Sequence, residues 1–168
     1  MEETDAYSHR DWVRAVNLSG VLGWLFVSAP ITWGTSNGSL LNFLGLMVWA
    51  AAIGLPIAFG ASWLVSAPIL KRVMHNKITW ARAAVWGGAI TFLIALFSTV
   101  IGRLYGLMQS MNPNSSSQLG GGDKIREVDG ILTAYGWLML GQRTAVFVAA
   151  GVLIALLVRA VIGPGRSI

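Results

Sequence analysis

Four long runs of apolar residues, at 13–33, 40–70, 78–101 and 144–162, dominate the pattern of this chain, and short polar breaks separate most of them. A helix that crosses a hydrocarbon core of about 30 Å needs roughly 20 such residues, so each run predicts one membrane span. Pro30 and the turn-rich Gly34-Thr35-Ser36-Asn37-Gly38-Ser39 are expected to close the first span. The second contains Pro56 and Pro68 and is longer than a crossing requires, which predicts a kink at Pro56, a tilt or a frayed end. Gly163-Pro164-Gly165 closes the fourth. The first run also has Arg10 and Arg14 in front and a small-residue site at Val27-Ser28-Ala29. Pro30 would follow directly after a cut there and the run continues past it, so it reads as a retained span rather than a cleaved signal.

One polar excursion breaks the pattern, at 110–122, where serine, asparagine and a glycine run mark a flexible linker by composition. Charged residues follow at 123–130, then the apolar stretch 131–141. Ile125, Val128, Leu132, Tyr135 and Met139 recur at three- and four-residue intervals, the spacing of one helix face. Two readings stay open. Either 131–141 is an amphipathic interfacial or re-entrant helix on the outer side before the last span, or one long tilted helix runs from about Lys124 to Ile162 with Arg143 snorkelling outward. The expected fold is an all-α integral membrane protein, a single domain over 1–168 built as a four-transmembrane-helix bundle.

Composition agrees with this and removes the soluble alternatives. Of 168 residues, 55% are hydrophobic and 11% charged, whereas an ordinary soluble domain carries about a quarter charged residues. The net charge of +5 suggests nucleic acid at first sight, but in so apolar a chain it reads as the basic excess of cytoplasmic loops, and no nucleic-acid partner is expected. Arg10, Arg14, Lys71, Arg72, Lys77, Arg82, Arg159 and Arg166 fall on one side of the predicted spans. Arg103, Lys124, Arg126 and Arg143 fall on the other, diluted by Asp123, Glu127 and Asp129. Both termini are therefore expected in the cytoplasm, across a bacterial-type inner membrane. Trp12, Trp63 and Trp80 near the inner boundary, with Trp33 and Tyr105 near the outer one, agree with that orientation.

Packing between spans calls for small residues along one face, because lipid tails are as apolar as leucine and hydrophobicity does not bring the helices together. The second span offers Ala50, Gly54, Ala58, Ser62 and Ser66, and the third Ala83, Gly87, Thr91, Ala95 and Thr99, each set at every fourth residue. These ridges are expected to hold the second and third spans together or to seat a partner. The shorter rows Ala15, Ser19, Gly23 and Gly151, Ala155 read as ordinary membrane-helix composition. Val27-Ser28-Ala29-Pro30-Ile31 recurs as Val65-Ser66-Ala67-Pro68-Ile69. The surrounding segments do not align, so the echo reads as a shared way of ending an apolar helix rather than as a transporter repeat.

The chemistry for catalysis is missing. There is no cysteine, hence no thiol nucleophile, disulfide or thiolate metal site. All seven acids lie in the amino-terminal segment or at 123–129, and none falls within a span where a coupling ion would need it. Only mild polar groups (Asn17, Asn42, Thr91, Ser98, Thr99) enter the spans. His9 and His75 flank the inner interface and cannot clamp a haem across the bilayer. The glycine run before Asp123 and Lys124 lacks the spacing of a phosphate loop. No catalytic residue, metal or cofactor is expected. The sequence points to a non-catalytic multi-pass subunit of a larger inner-membrane complex, of secretion, conjugation or respiratory type. The alternative is a homo-oligomeric channel or small-solute transporter. Partners are the lipid bilayer and other membrane proteins or further copies of the chain. The candidate contacts are Lys124, Arg126, Glu127, Tyr135, Trp137 and Arg143, as an amphipathic outer element can offer a face to another protein.

Overall fold

A computed structural model of the chain describes residues 6–111 and 116–165. It is mostly helical (79%), and four of its helices are long and apolar enough to cross a membrane. Helix α1 runs His9–Thr35; α2 (Leu40–Ala61), a π-helical turn (Ser62–Ser66) and α3 (Ala67–Val73) form the second apolar rod; α4 is Trp80–Ser110 and α5 is Ala134–Ile162. Between α4 and α5 lie three two-residue strands, β1 (Gln118–Leu119), β2 (Glu127–Val128) and β3 (Ile131–Leu132), so the chain is not purely helical. The chain divides into two compact units, residues 1–87 with 150–168, and residues 88–149.

The prolines do not end the helices. Pro30 lies inside α1, which continues to Thr35, and Pro56 lies inside α2 without interrupting it. In hydrocarbon there is no water to take over freed backbone groups, so a helix continues past a proline wherever neighbouring groups compensate. The break in regular winding falls instead just before Pro68. There the Ala67 N–H reaches back to the Ser62 carbonyl, one residue further than an α-helical bond. The wider turn makes room for a ring that would otherwise press on the carbonyl four residues earlier.

In the first unit α1 and α2 form an antiparallel hairpin. Ser8 and Asp11 cap the start of α1 reciprocally, and Ser39 caps the start of α2 after a tight turn in which Asn37 and Gly38 take positive φ. Matched pairs then run down the seam in opposite sense. Trp33 meets Phe43 edge-on at 5.5 Å, Thr32 donates to the Met47 sulfur, and the Trp24 indole N–H donates to the Ala50 carbonyl at 3.1 Å. Further along, Trp63 donates to the Asn17 side chain at 3.2 Å and Trp12 donates to the Ala67 carbonyl at 3.1 Å.

The small-residue ridges take different partners from those the sequence suggests. A β-carbon on Gly54 would lie 2.7 Å from the Trp24 ring of α1, and Gly20 of α1 has the Ser62 hydroxyl and Phe59 ring of the α2 side as its nearest neighbours. A β-carbon on Gly87 would lie 2.6 Å from the Gly151 carbonyl oxygen of α5 and would press on Ala155. The two central glycines therefore face α1 and α5 rather than each other. The short row Gly151, Ala155, which composition alone did not distinguish, forms half of the second contact.

At one end of this unit the amino-terminal segment, the 74–79 loop and the end of α5 build a small core of Ala6, Tyr7, Ala15, Met74 and Val158, flanked by Trp12, Leu70, Ile78 and Ile162. The Tyr7 hydroxyl donates to the Gly163 carbonyl at 3.2 Å, and Arg159 donates to the Ile78 carbonyl at 2.7 Å while its guanidinium lies 5.0 Å above the Trp80 ring. Burial pushes the Tyr7 hydroxyl above the ordinary tyrosine range, against the opposing pulls of the Ile78 backbone and Arg159. The segments next to the two termini thus lie together at one end of the unit.

Candidate functional site

The second unit carries the element with the most distinctive chemistry, the segment between α4 and α5. The helical spacing read from Ile125, Val128 and Leu132 does not form a helix. Residues 122–124 make one 3₁₀ turn, and the rest up to Leu132 is extended or turning backbone in an antiparallel sheet of order β1-β2-β3. Gln118 pairs with Val128 and Leu119 with Glu127; Glu127 also pairs with Leu132 and Val128 with Ile131.

The reason lies in Asp129-Gly130. Both residues have positive φ, 48° and 80°, the backbone of a two-residue hairpin whose twist matches its strands. Asp129 is also tied to the far strand: its N–H donates to the Ser117 carbonyl at 2.7 Å, and its carboxylate accepts from the Ser117 N–H at 2.9 Å. Gly130 packs backbone to backbone on Gly106 of α4, so close that a β-carbon on either would collide with the other's carbonyl. An ion pair fixes the hairpin to α4, with Arg103 reaching Glu127 at 3.2 Å and its other terminal nitrogen the Gly130 carbonyl at 3.5 Å. Gln109 donates to the Ser117 hydroxyl at 2.8 Å.

The exit is equally defined. Thr133 donates to the Ile125 carbonyl at 2.6 Å while its hydroxyl accepts the Gly136 N–H at 3.0 Å, capping α5. Gly136 sits against the Arg126 carbonyl, with no room for a side chain. The apolar stretch 131–141 is therefore neither a separate re-entrant helix nor a helix begun at Lys124. It is a strand followed by the first turns of α5, which run on unbroken into the last span. Part of the linker, residues 112–115, lies outside the described residues; Gln118 and Leu119 after it are already paired.

The predicted contact residues separate into two groups. The Glu127 carboxylate is engaged by Arg103, the Arg126 backbone holds both Leu119 and Thr133, and Tyr135 is partly buried. Glu127 and the Arg126 backbone thus brace the element itself. Lys124, Trp137 and Arg143 are exposed. The same unit also exposes apolar side chains, among them Tyr105 and Met108 on α4 (70% each), Ile131 on β3, and Leu138 on α5. Sequence reading missed Arg103, Gly106, Asp129, Gly130 and Thr133. The Asp-Gly pair between Val128 and Ile131 was the available signal, since that dipeptide between apolar residues marks a hairpin.

The helices that flank this element are long. At about 1.5 Å per residue, the 31 residues of α4 and 29 of α5 span roughly 46 and 43 Å, against a hydrocarbon core of about 30 Å. Each helix is thus several residues longer than a crossing requires.

Among the described residues, no three His, Asp or Glu side chains gather to hold a metal ion. Comparison with family models, curated proteins and solved structures gives no match to this chain.

Proposed function

We propose that the chain is a non-catalytic multi-pass subunit of a larger inner-membrane assembly and that the hairpin element of the second unit docks its partner on the outer side. One observation carries the reading. A braced element, tied to both long helices by backbone contacts, belongs to a unit that exposes apolar side chains and unpaired cations, and the spare length of α4 and α5 would carry it beyond the hydrocarbon. On that placement lipid tails do not cover these side chains, and exposed apolar patches outside the tails are features of interaction surfaces. Lys124, Trp137 and Arg143 are the contact residues, with Tyr105, Met108 and Ile131 as the apolar floor. Arg126, Glu127 and Tyr135 shape the element from within.

Native mass measurement of the protein extracted from its own membrane tests this. The expected result is a species heavier than the chain that contains other polypeptides and is lost on combining Lys124→Glu with Trp137→Ala, while membrane insertion and abundance persist. A closed ring of this chain alone would replace the subunit reading with a channel, and a monomer insensitive to the double change would remove the docking role.

A further inference from the structure

The first unit holds a second feature that the docking role does not use. A shallow, open depression on α3 is lined by Pro68, Lys71, Arg72 and His75. We propose that it binds the phosphate of an anionic phospholipid, with an acyl chain running back along the helix over Pro68 and Leu64.

Charge is the first support. Among the described residues of this unit, Arg10, Arg14, Lys71, Arg72, Lys77, Arg82 and Arg159 are cationic, and Asp11 is the sole carboxylate, engaged with the Ser8 hydroxyl and backbone at the other helix's cap. Arg159 is committed to Ile78 and Trp80, and Arg82 to the Lys77 carbonyl. Lys71 and Arg72 make no hydrogen bond or ion pair to a described residue, and both are exposed on adjacent positions beside the depression. An anion there meets two cations that no described carboxylate compensates.

Depth is the second. The rod Leu40–Val73 has 34 residues, roughly 51 Å at about 1.5 Å per residue, which exceeds a core of about 30 Å, and Lys71 and Arg72 stand in its last turn, where spare length would meet lipid phosphates. The approach is apolar: Leu64 is 80% exposed four residues before Pro68, and the proline itself forms one wall. A free anion gains nothing from those surfaces, whereas a lipid matches both halves, its phosphate on Lys71 and Arg72 and its chain on Leu64. Basic side chains beside a membrane helix attract anionic lipids through this combination.

The test is retention of phosphatidylglycerol against phosphatidylcholine by the delipidated full chain in neutral detergent, read by native mass spectrometry. Wild type is expected to prefer phosphatidylglycerol, and Lys71→Gln with Arg72→Gln to lose roughly tenfold or more of that preference. Arg14→Gln with Lys77→Gln removes the same charge outside the depression and is expected to keep it. Equal losses in the two variants would mean diffuse attraction, and no loss in the first would mean no site; either overturns the proposal. Displacement of the lipid by inorganic phosphate at matched concentration would overturn it too, by making the site one for a soluble anion. Should the glutamine variant fail to fold, the charge-preserving pair Lys71→Arg with Arg72→Lys is expected to retain the preference, and its loss there would count against the proposal.

Discussion

The two units are held together by different means. In the first, flat indole rings lie on small residues: Trp24 covers Gly54, and its N–H and that of Trp12 end on the backbone carbonyls of Ala50 and Ala67. In the second, the closure is polar. A two-residue turn, an Arg103–Glu127 pair and the Asp129 and Thr133 side chains satisfy the backbone of a segment with little apolar cover. On the proposed placement, with the seam in hydrocarbon and the hairpin at the headgroups, the difference follows from the surroundings. Inside hydrocarbon, close approach and satisfied indole N–H groups stabilise a seam because apolar contact alone distinguishes nothing from lipid. At the headgroups water competes for every hydrogen bond, so order there needs a turn that fixes the backbone and several bonds that form together.

The sharpest way to separate the units is Gly130→Val. It places a branched side chain at a positive φ and against Gly106, a loss on the order of 3 kcal/mol from backbone strain and overpacking together. The expected outcome is rapid proteolysis between residues 116 and 133 with the helical content of the first unit retained. Collapse of both units in one transition would break the comparison.

Gly54→Leu and Gly87→Leu attack the first unit instead, the former against Trp24 and the latter against the Gly151 carbonyl and Ala155. Each is expected to lower stability by about 1–3 kcal/mol in thermal unfolding in detergent. Gly87→Leu should be the worse, because a backbone carbonyl cannot rotate away as an indole can. Unchanged melting in both would mean that these ridges do not hold the unit.

Tyr7→Phe removes the hydroxyl that ties the amino-terminal segment to Gly163, about 1 kcal/mol. Its pH dependence has a definite sign. Because burial raises the Tyr7 ionisation in the folded chain, the neutral form is the stabilising one. That contribution is fully present below the unfolded value near 10 and disappears as pH rises through the folded value. The wild type should therefore lose stability on the alkaline side more steeply than Tyr7→Phe in melting followed from pH 8 upward. Parallel curves would show that the hydroxyl is not buried against Gly163.

The smallest effect is expected from Glu127→Gln. The pair with Arg103 is partly exposed, at 30% and 22% of the two side chains, so water screens it and the loss should stay below about 1 kcal/mol. Proteolysis of the hairpin should quicken slightly, far less than in Gly130→Val. A loss as large as that of Gly130→Val would mean that the ion pair, rather than the turn, organises the second unit.

Sequence alone indicated the four apolar helices, because long apolar runs with almost no charge match the length and composition of a membrane-crossing helix. It also exposed the small residues at four-residue spacing, since a helix face is a local property. It could not assign those faces to neighbours: Gly54 and Gly87 carry the same local signal, and only the tertiary structure sets one on Trp24 and the other on Gly151. Prolines misled for a related reason, because their local cost is real while the compensation, as in the wider turn before Pro68, depends on the surrounding backbone. The hairpin was legible in Asp129-Gly130 but hidden behind Ile125, Val128 and Leu132, whose spacing fits a helix and, with a two-residue turn between short strands, fits a sheet as well. What decided between them was non-local: Gly106 of α4 accepts the turn's backbone, Arg103 takes up Glu127, and the carboxylate of Asp129 finds Ser117 twelve residues earlier. Those bonds exist only once distant segments meet, and no local pattern encodes their geometry.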